Sequence, residues 1–504
     1  SIVLFASLSA LAEPGSEDFV RYALTLTFLV GLVQLIMGCA RLGVLVNFIS
    51  HSVIVGFTAG AAILIASNQI SHFLGLTLPR GLPFYEVIWL NISTFADIHI
   101  PTAIVGVATL ASGIIARRLW PKLPYMIVAM VVGSLVAVGF IHLGGAEIAV
   151  VGSIPASLPP LSQPDFSFET IRELAPIVMA VTLFALAEAV SIARSIAARS
   201  GQLIDGNQEF IGQGLSNLAG AFFSSYVATG SFNRSGVNYQ AGARTPFAAL
   251  SAGVALMAIV LLVAPLFQYL PNAAMAAVLF MVAWGIVDTH HIVTIVRSSR
   301  PETAVLFVTF ASTLLLQLEF AILLGVFLSL VVYLAQASHP QVLVRAPNPA
   351  KPKHRLDTDP ALPECPQVKI VRIDGAIFFG AVNYVAERLR IIARRSPQQK
   401  HLLLLVRAIG FVDVAGAELI AREARNRRDM GGQMYLHSLK DAPRQTLERG
   451  GFLRDIGEEN LYQSKSEAIA SIFEKLDKSI CARCDKRIFL ECETVPERKR
   501  LLDE

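Results

Sequence analysis

The chain has 504 residues, 54% hydrophobic and only 16% charged, where a soluble globular domain carries about 25% charge. That balance describes a membrane protein. The net charge of +4 is too small to argue for nucleic acid, and in a membrane protein the placement of Lys and Arg matters more than their sum.

In chain order, apolar runs predict spans at 1–12, 22–38, 46–71, 101–116, 123–141, 174–196, 208–225, a short one near 230–241, 246–265, 270–287, 302–317 and 320–337. The first, "SIVLFASLSALA", falls short of the roughly 20 residues of a full crossing. It reads as the back half of a helix, so we expect an N-terminal truncation. The connections carrying Arg117, Arg118 and Lys122, then Arg194 and Arg199, then Arg297 and Arg300, are basic and are separated by even numbers of spans. "EPGSED" and the 142–173 connection, with Glu147, Asp165, Glu169 and Glu173, are acidic and fall on the other side. The positive-inside rule places the basic connections in the cytoplasm, together with everything after about 338.

Two features of the 1–337 transmembrane region are too polar for lipid. Glu188 sits in the middle of "IVMAVTLFALAEAVSIARS", and ionisable residues at membrane depth mark functional sites. The stretch "YVATGSFNRSGVNYQAGARTP", Tyr226 to Pro246, lies between apolar runs. One reading is a loop outside the membrane. The other is a short helix of small residues starting near Ser231, whose amide groups and positive dipole end, beside Arg234, would hold an anion. The marginal length of 208–225, the Arg inside the stretch and the presence of Glu188 favour the second.

Residues 338–364 are rich in Pro and charge, a linker by composition. Beyond them "VKIVRIDG", "HLLLLVRAIGFVD" and "QMYLHSL" read as strands, and "AVNYVAERLRIIARR", "AGAELIAREARNRRDMG" and "SKSEAIASIFEKLDK" as helices. This is a small α/β domain over 365–478. The tail, 479–504, carries Cys481, Cys484 and Cys492. A closed zinc site needs four ligands and the sequence brings no fourth close, so reduced thiols are expected here, as solvated side chains are for His290 and His291. No nucleophile–base constellation or phosphate-binding loop points to an enzyme.

"LVNFISHSVIVGFTAGAAILIASNQISHFLGL" (45–76), "LAEAVSIARSIA" with the following polar stretch (186–245), and "RIDGAIFFGAVNYVAERL" (372–389) resemble the SulP anion transporters. The resemblance implies fourteen spans as two inverted seven-span repeats, a core moving against a gate, and an anion held between the facing N-termini of the third and tenth spans. It also implies a cytoplasmic STAS domain and a homodimer. Residue by residue, Phe232, Asn233, Arg234 and Ser235 would face the anion at the start of the tenth span. Residues 1–12 match the end of the third span, so the first two spans would be missing.

Glu188 matches the acidic position of the eighth span. Sodium-coupled bicarbonate members carry Asp there with Thr one turn later. Here the pair is Glu188 and Ile192, and Ile supplies no oxygen to a hard cation, so proton coupling through Glu188 is expected. Phospho-switching STAS domains carry Ser or Thr after the Asp that starts a helix. "GFVDVAGAEL" follows Asp413 with Val414 and Ala415, leaving no acceptor oxygen.

The expected function is secondary active transport of an inorganic anion across the inner membrane, sulfate with proton symport. The alternatives are dicarboxylate or bicarbonate transport, or a membrane signalling protein whose output is the STAS domain. Expected partners are the anion, a proton, the bilayer, a second copy and a cytoplasmic protein at the STAS domain; no cofactor, metal or nucleic acid is implied.

Overall fold

The computed structural model describes residues 2–9, 11–43, 50–79, 82–120, 123–152, 156–231, 234–235, 238–239, 241–316 and 318–495. The chain divides into two units, 1–330 and 331–504.

The first unit is helical: α1 (Ile2–Ser9), α2 (Glu17–Cys39), α3 (His51–Leu74), α4 (Phe84–Ser93), α5 (Ile100–Leu119), α6 (Tyr125–Gly144), α7 (Phe168–Ser200), α8 (Gly206–Ala221), α9 (Phe247–Val263), α10 (Asn272–Ile286), α11 (Thr289–Ser298), α12 (Arg300–Leu315) and α13 (Leu318–Ala337). Eight helical segments among the described residues are long and apolar enough to cross a membrane. Polar side chains start three of them, and glycines stop two of those three. Ser16, Ser50 and Ser167 accept hydrogen bonds from amides three residues on, at the heads of α2, α3 and α7. Gly75 and Gly201 take left-handed φ values of 74° and 71° at the tails of α3 and α7, where a side chain would be strained.

Lipid supplies no hydrophobic force between helices, so association in a bilayer rests on close packing and interhelical polar bonds. α2 and α8 meet backbone to backbone. A Cβ on Gly31 would lie 2.7 Å from the Leu218 amide nitrogen, and one on Gly214 would lie 2.6 Å from that of Leu35. α4 and α11 fall outside the expected spans. α4 buries Val87 and Asn91 and leaves Tyr85 and Trp89 at 58% and 71% exposure, the amphipathic aromatic pattern of a helix at a membrane interface. Trp120 and Trp284 are exposed as well.

The second unit is a six-stranded sheet in the order β2–β1–β3–β4–β5–β6. Its strands are β1 (Gln341–Pro347), β2 (Leu356–Asp357), β3 (Val368–Asp374), β4 (His401–Leu405), β5 (Met434–His437) and β6 (Leu461–Tyr462). β3 to β6 are parallel, and β1 joins β3 antiparallel. Every residue of β4, "HLLLL", is buried, as a central parallel strand covered on both faces requires. On one face pack α14 (Phe379–Arg395) and α15 (Val414–Asp429), through Val385, Leu389, Ile420 and Ala424. On the other packs α18 (Lys465–Lys475), through Ala468, Ile472 and Phe473. The remaining helices are α16 (Asp441–Arg449), α17 (Leu453–Ile456) and α19 (Lys478–Ala482).

Two expectations need correction here. Residues 338–364 are not a bare linker, because β1 and β2 within them complete the sheet edge; the alternation in "QVLVRAP" is masked in sequence by the Pro and charge around it. Nor is 479–504 a detached tail, since Ile488 and Phe489 are buried in the same cluster as α18.

Candidate functional site

α7 has 33 residues, about 50 Å at 1.5 Å per residue, and its inner face receives the polar stretch. After α8 ends at Ala221, the chain runs without regular structure to residue 231. Backbone of this kind is tolerated at membrane depth only where protein satisfies it, and at Ala228 a side chain of α8 does so. Asn217 of α8 accepts from the Ala228 amide at 2.7 Å and donates to the Ala228 carbonyl at 3.2 Å. The same Nδ2 donates to Gln34 Oε1 of α2 at 2.9 Å. Thr229 Oγ1 donates to the Ala185 carbonyl of α7 at 3.0 Å.

One residue further, Gly230 lies directly on α7. A Cβ there would be 2.9 Å from Ile192 Cδ1 and 3.4 Å from Ala189 Cα. The segment is therefore seated along α7 between residues 185 and 192, the turns that carry Glu188. Glu188 is half-buried, and among the described residues it has no hydrogen bond or ion pair. Just upstream, Val227 joins Leu4 and Leu8 of α1 and Val178 and Val181 of α7 in one apolar cluster, so α1 and the polar stretch share the same supporting helix.

A helical start follows. Ser231 Oγ accepts from the Arg234 amide at 3.4 Å and the Ser231 carbonyl from the Ser235 amide at 2.9 Å, the pattern of an N-cap. Residues 234–235 and 238–239 are helical. The expected contacts at Phe232 and Asn233 lie outside the described residues. Arg234 is exposed and Ser235 half-buried, and among the described residues Arg234 makes no ion pair. The pairing of Glu188 with Arg234, which would make both merely structural, is not formed among these residues.

Asn217 and Gln34 are not among the site residues expected from the sequence. The signal was present: a Gln within "VGLVQLIMGC" and an Asn within "GLSNLAGA" are polar residues in apolar runs. Gln34 is fully buried with Nε2 unpartnered, and Asn217 is 1% exposed.

Residues 1–309 match the model of the sulfate permease family, and residues 359–468 that of the STAS domain. The chain is similar to sulfate transporter 4.1, chloroplastic, of Arabidopsis thaliana, at 29% identity over 93% of this chain and 71% of the relative. It is 27% identical to high affinity sulfate transporter 1 of Stylosanthes hamata, over 94% and 74% of the two chains. Among solved structures, the murine solute carrier 26 family member A9 anion transporter in its inward-facing state superposes with a TM-score of 0.83 at 19% identity, covering 94% of this chain and 82% of that one. The transmembrane domain of a cyanobacterium bicarbonate transporter, BicA, gives 0.54 at 22% identity, over 66% and 80%. These likenesses show the transporter fold expected from the sequence, a multi-pass helical domain followed by a small α/β domain. With a family model matched over more than half its length, the chain belongs to the sulfate permease family, as a membrane anion transporter with a STAS domain and not an enzyme.

Proposed function

We propose that the protein is a secondary active transporter of sulfate coupled to a proton, working in the inner membrane with its STAS domain in the cytoplasm and as a homodimer. The observation that carries this reading is the seating of Thr229 and Gly230 on α7, which brings the helical start at Ser231 to the turns bearing Glu188. Phe232, Asn233, Arg234 and Ser235 would receive the anion, with Arg234 supplying fixed positive charge to a helix start that already favours anions. Glu188 would carry the proton. An anion and an ionised Glu188 in one pocket repel, so anion and proton bind cooperatively, and by linkage acid outside tightens anion binding. Sodium coupling is disfavoured, because the Ile192 side chain puts its Cδ1 methyl against Gly230 and a hard cation needs oxygens.

The test is uptake of radiolabelled sulfate, bicarbonate and succinate into proteoliposomes under imposed pH gradients. Sulfate uptake driven by acid outside supports the reading. Glu188→Gln should retain exchange but lose pH dependence and concentrative uptake. Arg234→Ala should weaken binding at every pH, and Arg234→Lys should recover part of it, since the point charge survives without the planar fork. Preference for bicarbonate or succinate would replace sulfate as the substrate. Uphill uptake by Glu188→Gln with an unchanged pH profile would remove the proton from the mechanism.

A further inference from the structure

The second unit brings together four thiols that are far apart in sequence. Cys365 precedes β3, while Cys481, Cys484 and Cys492 lie in the C-terminal segment that packs beside α18. All four line one cavity of about 20 Å³, with Gln367 and Arg487 among the other lining residues. The sequence offered three cysteines and no fourth; the fold supplies Cys365.

The cavity is organised around sulfur. The turn "CPQV", 365–368, carries Cys365 and Gln367 together into the cavity wall. Gln367 then ties this turn to the tail. Its Nε2 donates to the Asp477 carbonyl at 3.0 Å and to Cys481 Sγ at 3.4 Å, and its Oε1 accepts from the Asp477 amide at 2.9 Å. The Cys365 carbonyl is held by Gln399 Nε2 at 2.7 Å. Arg487 has one buried guanidinium nitrogen with no hydrogen-bond partner, in a wall of the same cavity. A buried cationic donor left over among sulfurs is what a negatively charged centre would satisfy.

The volume limits what fits. A void of roughly 10–15 Å³ holds one water, so this one admits a single ion and not a multinuclear cluster. Among the described residues no three His, Cys, Asp or Glu side chains already stand in ligating geometry. Closure requires the thiols to turn inward, each on one side-chain torsion with staggered alternatives. We propose that Cys365, Cys481, Cys484 and Cys492 form a tetrathiolate site for one Zn²⁺ that staples the C-terminal segment to the sheet. Four sulfurs complete the coordination of a structural zinc site. Binding displaces the four thiol protons to solvent and leaves a doubly negative centre facing the Arg487 guanidinium.

The test uses the full chain, purified in detergent from cells grown with added zinc, with metal content read by mass spectrometry and thiols counted before and after a zinc chelator. About one zinc per chain is expected, with four thiols unreactive until the chelator removes it. Cys365→Ser and Cys481→Ser should each lower zinc occupancy at least tenfold, while Cys39→Ser, outside the site, keeps it. Wild-type protein needs no variant to fold, so its thiol count stands alone as a readout. Free, reactive thiols without zinc would overturn the proposal. So would a disulfide among the tail cysteines, iron in place of zinc, or zinc retained undiminished in Cys365→Ser.

Discussion

Replacing Asn217 by Ala removes the side chain that pins the polar stretch. Three hydrogen bonds go: two to the backbone of Ala228 and one to Gln34. A buried polar group left unpaired costs about 1–3 kcal/mol, but interhelical bonds in membrane proteins average nearer ~0.6 kcal/mol each. Asn217 and Gln34 are buried while Ala228 is exposed, so water re-satisfies part of what is orphaned and the lower figure governs. We expect a total of about 2 kcal/mol, which is roughly a 30-fold shift away from the docked segment. Uptake into proteoliposomes should fall by a similar factor, and a cysteine placed at Ser231 should react faster with a water-soluble thiol reagent. Gln34→Leu is the control. It removes only one of the three bonds and relieves an Nε2 that has no partner, so it should cost under about 1 kcal/mol. An Asn217→Ala protein with wild-type uptake and unchanged labelling at 231 would refute the idea that Asn217 positions the site.

Gly214→Leu should force α2 and α8 apart, because even a Cβ would lie 2.6 Å from the Leu35 amide and 2.8 Å from the Gly31 carbonyl; a monodisperse protein with an unaltered melting temperature would contradict that contact. Asp413→Ala should cost about 2 kcal/mol, since its carboxylate accepts from the Gly416 amide and the Phe379 amide, both at 2.8 Å. Hydrogen exchange at those two amides reads the loss, and unchanged protection there would show that the caps are dispensable. Burial pushes the Glu364 carboxyl up, but hydrogen bonds from Lys369 and Gln399 outweigh it and hold the group below its ordinary value. A depressed folded pKa contributes stability above the unfolded value, about 4.3, that is lost as pH falls through the folded one. The stability gap between wild type and Glu364→Gln, measured by denaturant unfolding, should therefore narrow below about pH 4.3; a gap that stays constant from neutral to acid would show that Glu364 contributes no such coupling.

The long apolar helices were legible because composition alone decides them. The parallel strands "VKIVRID" and "HLLLL" were legible because burial on both faces leaves an unbroken aliphatic run. β1 was not, since only the two-residue β2 lies outside it and its Pro and charged neighbours in sequence make it read as linker. α4 escaped for a related reason: ten residues are too few for a span, and its alternating faces matter only once an interface is assumed. At the site, Glu188 and Arg234 stood out as charges in apolar surroundings. The contacts that seat them come from residues 34, 185 and 217, brought together only by tertiary packing. The four-thiol cavity is the sharpest case, because Cys365 is separated from the tail by the whole α/β domain and no spacing rule reaches that far.

The exposed tryptophans fix what intrinsic fluorescence can report. The chain has three, Trp89, Trp120 and Trp284, all on the outer surface of the helical unit at 71%, 56% and 78% exposure, and the sheet unit has none. Emission from this protein is thus a gauge of acyl-chain and headgroup surroundings. Brominated lipids should quench it without any change in folding. A denaturation curve followed at tryptophan wavelengths would be blind to the α/β domain, whose unfolding must be read from its tyrosines or from circular dichroism.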